Sequence, residues 1–247
     1  MADYGTTKAL TILTRKDINS LQIREFPVPE LGPHEVLIEN VAVAQNMGDW
    51  KRIVFDAVPE VPWTIGSDVA GTIVRLGPAV TKFKVGDSVL SYVARFPGTA
   101  RHGGYQTLTV AEEGLTAHLP PTMIGTIETI EASVDSITAP DGGTIASVLI
   151  MPSPTGQVIV APEETTNKLS ARGINLEPAW ALHIDQPIVR ERSFAVLGQL
   201  LQSGKLIPNR IKVMPGGLKG VHEGLRLTQG GKVSGEKLVY RIADTQF

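Results

Sequence analysis

The periodicity of the chain changes at Met123, and this restricts its possible folds more than any composition figure does. Before that residue come short, partly alternating apolar runs: LTILTR (10–15), LQIREFPVPE (21–30), EVLIENVAVA (35–44), AGTIVRLG (70–77), DSVLSYVA (87–94) and YQTLTVAEE (105–113). LGPHE, LGPAVTKFKVGD and FPGTARHGG separate them. Alternation at period two marks half-buried strands, and glycine and proline mark the turns, so this half predicts a compact β-barrel. Between Asn46 and Phe55 the pattern loosens into a helical turn carrying Asp49, Trp50, Lys51 and Arg52. Interruptions of this kind are where a barrel tends to carry function.

After Met123 helix and strand alternate. TIETIEASVDSI (126–137) spaces Ile127, Ile130, Val134 and Ile137 by three and four, the stripe of an amphipathic helix, and APDGG stops it. TIASVLI (144–150) is apolar on both faces, as strands inside parallel sheets are. QVIVAPE (157–163) and INLEPAWALHI (174–184) predict further strands. SFAVLGQLLQSGK (193–205) predicts a helix with Phe194, Leu197, Leu200 and Leu201 on one face, stopped by Gly204. GLKGVHEGLRLTQGG (217–231) predicts another, and KLVYRI (237–242) a closing strand.

Composition narrows the function classes. The 247 residues are 42% hydrophobic and 19% charged, as in ordinary globular proteins, with a formal net charge of -2. That charge gives no electrostatic reason to expect nucleic acid or an anionic membrane as partner. No apolar run approaches the roughly 20 residues of a membrane helix, and MADYGTTKALT lacks a signal-peptide layout, so a cytoplasmic location is expected. With no cysteine there is no disulfide, no thiolate nucleophile and no Cys-based zinc site.

LGPHEVLIENVAVAQNMGDWKR, PWTIGSDVAGTIVRLGPAVTKFKVGDSV, HGGYQTLTVAEEG and the stretch from LGQLLQSGK to KLVYRI together resemble the zinc-independent medium-chain dehydrogenase/reductases. Within that family the likeness is to quinone reductases and to fungal trans-acting enoyl reductases serving polyketide synthases. The resemblance implies a mixed α/β chain with a GroES-like β-barrel over 1–123, onto which 217–247 pack back, and a Rossmann-like segment over 124–216. A Rossmann nucleotide site needs a glycine-rich turn, so that backbone amides at a helix N-terminus can approach the pyrophosphate. No G-x-G pair occurs anywhere in the chain, and the glycine pairs at 142, 216 and 230 sit in the wrong context. On the order of 100 residues, the mononucleotide-binding half, are expected to be missing between HLPPTM and IGTIETIEASVDSI, if each βα step takes roughly 30.

The same resemblance places candidate site residues. Zinc-dependent relatives hold the metal by a Cys in the barrel's helical turn and a His in a G-H-E triplet. Asn46 and Ser67 stand at those positions here, so no metal is expected. Asn46, Asp49 and Lys51 fall where relatives line the cleft, and Lys51 matches a lysine facing the cofactor phosphate; the bland alternative is a solvated Asp49–Lys51 pair. Trp50 and Trp63 are candidate pocket walls or core residues. His102, Tyr105 and Arg101 lie in ARHGGYQ, a loop that closes over the cleft in the family. There His102 is a candidate acid or base and Tyr105 a donor to a carbonyl, against a simple turn. His183 reads as an interior or interface histidine and His222 as solvent-facing. Lys237 sits in a returning segment of structural role, at the cleft edge.

Three functions follow as expectations. The first is a cofactor-independent catalyst of an isomerisation, cyclisation or pericyclic step on a small hydrophobic enone or polyene, with Lys51, Tyr105 and His102 polarising a carbonyl or moving a proton. The second is a residual NADPH-dependent enoyl or quinone oxidoreductase. The third is a non-catalytic partner of a polyketide synthase or full-length relative. A homodimer is expected through residues 173–184, because a truncated sheet exposes an edge that aggregates unless it is covered.

Overall fold

A computed structural model of the chain describes residues 4–58, 60–93, 103–119, 143–148, 174–179, 187–203 and 210–247. It forms two compact units, one of Met1–Thr129 with Arg190–Phe247 and one of Ile130–Val189.

The first unit is built around β3 (Glu35–Ala44), most of whose residues are buried. β3 pairs antiparallel with β5 (Asp68–Leu76), with β7 (Leu108–Glu112) and with β12 (Glu236–Arg241). β6 (Ser88–Tyr92) and β8 (Thr116–His118) extend the sheet beyond β5, and β11 (Arg210–Val213) lies parallel to β12 at the other edge. β1 (Thr6–Ile12) is paired on one side with β2 (Gln22–Pro27) and on the other with the two-residue β4 (Trp63–Thr64). Helices α1 (Met47–Val54) and α3 (Val221–Gln229) complete the core, in which Ile12, Ile38, Val43 and Ile73 of the strands meet Ile53 of α1 and Leu225 of α3. At about 25 cal/mol per Å² of apolar area, burial of such side chains is the main favourable term.

Register in the central pair is set by backbone crowding. β3 and β5 slip between Asn40 and Ala42, opposite Gly71, where a Cβ would collide with the carbonyl of Glu39. The Asn40 side chain fills the irregularity, donating to Gln106 O and Thr109 Oγ1, each at 2.7 Å.

Several expected boundaries move. LTILTR is strand only to Ile12, because the hydroxyl of Ser20 takes the N–H of Leu13 and Thr14 and closes a turn there. YQTLTVAEE is not one strand. Tyr105 N–H donates to Ile65 O while Tyr105 O accepts from Leu10, so the segment crosses from β1 before joining β3 at Leu108. β4, β8 and β11 were not expected; at two to four residues they are too short to show alternation. GLKG forms a 3-10 turn that leads into α3 rather than part of it.

Helix α2 (Pro187–Gln202) buries Phe194, Leu197 and Leu201, three of the four residues of the expected stripe. In the second unit β9 (Gly143–Val148) and β10 (Ile174–Ala179) pair in parallel, as the two-sided apolar character of 144–150 predicts. The helix expected over 126–137, the strand over 157–163, and Arg101, His102 and His183 lie outside the described residues. No helix among the described residues is long and apolar enough to cross a membrane.

Candidate functional site

The polar residues of the barrel converge where β3 ends. After Ala44 the apolar alternation stops and Gln45 and Asn46 lead into α1, with Asn46 extended at φ -114° as the N-cap. Asp49, three residues on, returns its carboxylate to the N-cap and accepts the Asn46 N–H at 2.8 Å, half of a capping box. Across the core, Gly66 adopts φ +99°, open to glycine at little cost, and so turns Ser67 and Asp68 inward at the start of β5. β12 arrives beside them because Gln45 N–H donates to Leu238 O at 3.0 Å, which places Lys237 against Asn46.

The result is a dry network of charged and polar groups. Asp49 is fully buried and accepts from Tyr105 OH at 2.6 Å and Ser67 Oγ at 3.1 Å. Asn46 donates from Nδ2 to Asp68 Oδ2 at 2.7 Å and accepts at Oδ1 from the Lys237 ammonium. Lys237 Nζ is 3.3 Å from Asp68 Oδ2, in a pair whose side chains are 8% and 12% exposed. Beside this network, Tyr240 OH donates to Gln45 Oε1 at 2.5 Å, and Gln45 Nε2 donates to Thr228 Oγ1 of α3 at 2.7 Å. The rings of Tyr105 and Tyr240 meet edge to face at 6.2 Å and close the two groups together.

Burial dominates the electrostatics. It raises the Asp49 pKa above its usual 3.8, against the Asn46 N–H, the Tyr105 hydroxyl and the Arg52 charge, and with Asp68 adding to the rise. Tyr105 is lifted well above the ordinary tyrosine value by burial and then by Asp49, and Tyr240 is raised for the same two reasons. Both phenols therefore stay protonated and act as hydrogen-bond donors throughout the physiological range.

This geometry redistributes the roles read from the sequence. Asp49 and Lys51 are not a solvated pair, since Asp49 is enclosed by Asn46, Ser67 and Tyr105. Tyr105 is fully buried with its hydroxyl bound to Asp49, so it positions that carboxyl and does not face a carbonyl. Trp63 is a core residue, 7% exposed and packed in the main cluster, and is not a pocket wall. Trp50 is half-buried, with its ring 6.2 Å from Phe55 and its Nε1 without a partner among the described residues. Lys51 is half-buried, its Nζ 5.9 Å from the centre of the Trp50 ring. His222 is half-buried rather than solvent-facing, with Nε2 enclosed and unpaired among the described residues.

The sequence put Lys237 at the cleft edge in a segment of structural role, and it missed Asp68 and the Gln45–Tyr240–Thr228 chain. A signal was available for Lys237: it opens the apolar strand KLVYRI directly after Glu236, a position where a lysine is buried only if something answers its charge.

Residues 32–121 match the alcohol dehydrogenase GroES-like domain. A chloroplastic quinone oxidoreductase of Triphysaria versicolor is 41% identical over 101 residues, which cover 39% of this chain and 30% of that protein. A trans-enoyl reductase of Aspergillus flavipes is 36% identical over 108 residues, covering 42% of this chain and 31% of that protein. The matched segment thus spans under a third of either relative. Among solved structures, the human synaptic vesicle membrane protein VAT-1 homolog-like protein superposes with a TM-score of 0.71 at 13% identity, over 98% of this chain and 99% of its own. The ER cyclopropanase CurF from the curacin A biosynthetic pathway does so with a TM-score of 0.65 at 14% identity, over 95% and 99%.

Proposed function

We propose that this chain, whose residues 32–121 match the alcohol dehydrogenase GroES-like domain, is an enoyl-reductase-like medium-chain dehydrogenase/reductase of polyketide-type secondary metabolism that orients an enone or polyene without hydride transfer. The observation that carries this reading is the Lys237–Asn46–Asp68 contact at the base of α1. A zinc ion does not fit there. Asn46 and Ser67 offer a carboxamide and a hydroxyl instead of thiolate or imidazole, the chain has no cysteine, and the Lys237 ammonium already contacts Asn46 Oδ1, where a second cation would be repelled.

The glycine pairs among the described residues also weigh against NADPH. Among them, the glycine pair that follows a strand and precedes a helix is Gly216–Gly217, and the chain itself closes it. Leu218 N–H donates to Thr245 Oγ1 at 2.9 Å, and a Cβ at Gly217 would collide with the same threonine. That bond takes one of the backbone amides a pyrophosphate would need there. The site instead supplies a buried ammonium and a buried carboxyl, which can bind and polarise a carbonyl and hold a proton at Asp49. CurF is described as a cyclopropanase, so ring formation lies within the range of this fold.

The names of the relatives, a quinone oxidoreductase and a trans-enoyl reductase, favour a second reading, a residual NADPH-dependent oxidoreductase. Mass spectrometry separates the two. Polyketide-type enones incubated with the purified protein alone give a product of unchanged mass on the first reading. A product that gains two hydrogens, formed only when NADPH is added, would refute it. The reading includes a homodimer through the sheet of β9 and β10, two strands wide among the described residues, and light scattering at twice the chain mass would support it.

A further inference from the structure

We infer that the ammonium of Lys237 is the binding point for a neutral carbonyl oxygen of the ligand. This rests on the reading that the ligand is an enone, and it assigns the polarising role to Lys237 in place of Lys51 or Tyr105.

Lys237 is 7% exposed, yet its ammonium carries three N–H donors. The described residues supply two acceptors, Asn46 Oδ1 and Asp68 Oδ2. An enclosed charged donor left unused is costly unless a ligand or water takes it. The two acceptors are themselves held in place. Asn46 is fixed through its N–H on Asp49 and its Nδ2 on Asp68, so its Oδ1 is committed to the lysine. The ammonium is therefore held in place before any ligand arrives, the condition under which a dipole or charge stabilises a developing oxyanion most effectively.

The surrounding charge selects the ligand. Asp68 neutralises the ammonium at 3.3 Å, and Asp49 places a second carboxyl in the same network through Asn46. An anionic ligand would approach two carboxyl groups and one already balanced cation. A neutral carbonyl avoids that repulsion and gains from the N–H as its oxygen becomes more negative. The lysine polarises the carbonyl and transfers nothing. Lys51 lacks this setting, because its Nζ lies 5.9 Å from the Trp50 ring centre, outside the hydrogen-bonded network.

The test uses 2-cyclohexenone carrying carbon-13 at its carbonyl. Bound to the native chain, its carbonyl infrared band should move to lower frequency. Lys237→Met should bind it about tenfold more weakly or worse, the cost of losing a hydrogen bond to a charged donor, and should leave the band at its solution position. If circular dichroism shows that Lys237→Met does not fold, nitrogen-15-lysine labelling of the native chain gives the answer, through a solvent-protected ammonium signal that shifts as the enone is added. Equal affinity and an equal band shift in the folded variant, an unshifted ammonium signal, or no binding of the enone at all would each overturn the inference. The underlying reading fails separately. Reduction of the enone with NADPH refutes the non-redox function and leaves the Lys237 contact standing, whereas cofactor-free turnover with an unshifted band refutes only the contact.

Discussion

Replacing Asp49 by asparagine should stabilise the fold relative to the native chain at neutral pH and leave it nearly unchanged in acid. The carboxyl is fully buried, and burial is the largest of the influences that set its raised pKa. In the unfolded chain it ionises near 3.8. Between that value and its higher folded value, the folded state keeps a proton that the unfolded state has lost. The stability this group contributes is complete below the unfolded pKa and is lost as pH rises through the folded one, at about 1.4 kcal/mol per pH unit for one full proton. Asparagine removes the charge and can keep the bonds. Its Oδ1 accepts from Asn46 N–H and Tyr105 OH, and its amide donates to Ser67 Oγ. Urea unfolding followed by circular dichroism, stepped from roughly pH 4 to pH 8, gives the difference between the two chains and cancels every group they share. That difference should start near zero and grow in favour of Asp49→Asn as pH rises. Parallel profiles would show that Asp49 has an ordinary pKa, and a native chain gaining on the variant would show that it is stabilised as an anion; either refutes the burial argument.

Lys237→Met alone should cost about 3–5 kcal/mol in urea unfolding, because it strands the Asp68 carboxylate, and adding Asp68→Asn should recover most of that loss. Tyr105→Phe should cost about 1.5–3 kcal/mol, the range for a hydrogen bond to a charged group, and an effect under half of that would mean that its 2.6 Å bond to Asp49 contributes little. Gly224→Ala should destabilise by about 1–3 kcal/mol despite alanine's better helix propensity, since the added Cβ meets the Tyr240 hydroxyl and, at 2.6 Å, Gln45 Oε1; a stabilised variant in thermal melts would contradict the packing of α3 on β12.

The barrel was legible because its strands alternate and its turns are marked. Val36, Leu37 and Ile38 in EVLIENVAVA identify β3 and its burial on both faces. The helical turn carrying Asp49 was equally plain. What the sequence could not convey is which polar residues meet. Asn46 and Lys237 are 191 positions apart, and only the pairing of β12 with β3 brings them together. Tyr105 illustrates the same limit. Its place beside two glycines suggested a loop donor facing a substrate, but the backbone of that stretch pairs with Ile65 and Leu10, which carries the ring into the core. Trp63 was ambiguous because an aromatic residue beside a barrel has the same local pattern whether it faces a cavity or fills one.

Calorimetric titration of the purified protein with NADPH tests the central claim most directly. A chain without a G-x-G pair and a glycine turn closed by Thr245 predict no saturable heat up to about 1 mM cofactor. Saturable binding near 1 μM would contradict that account and establish a nucleotide site in the chain.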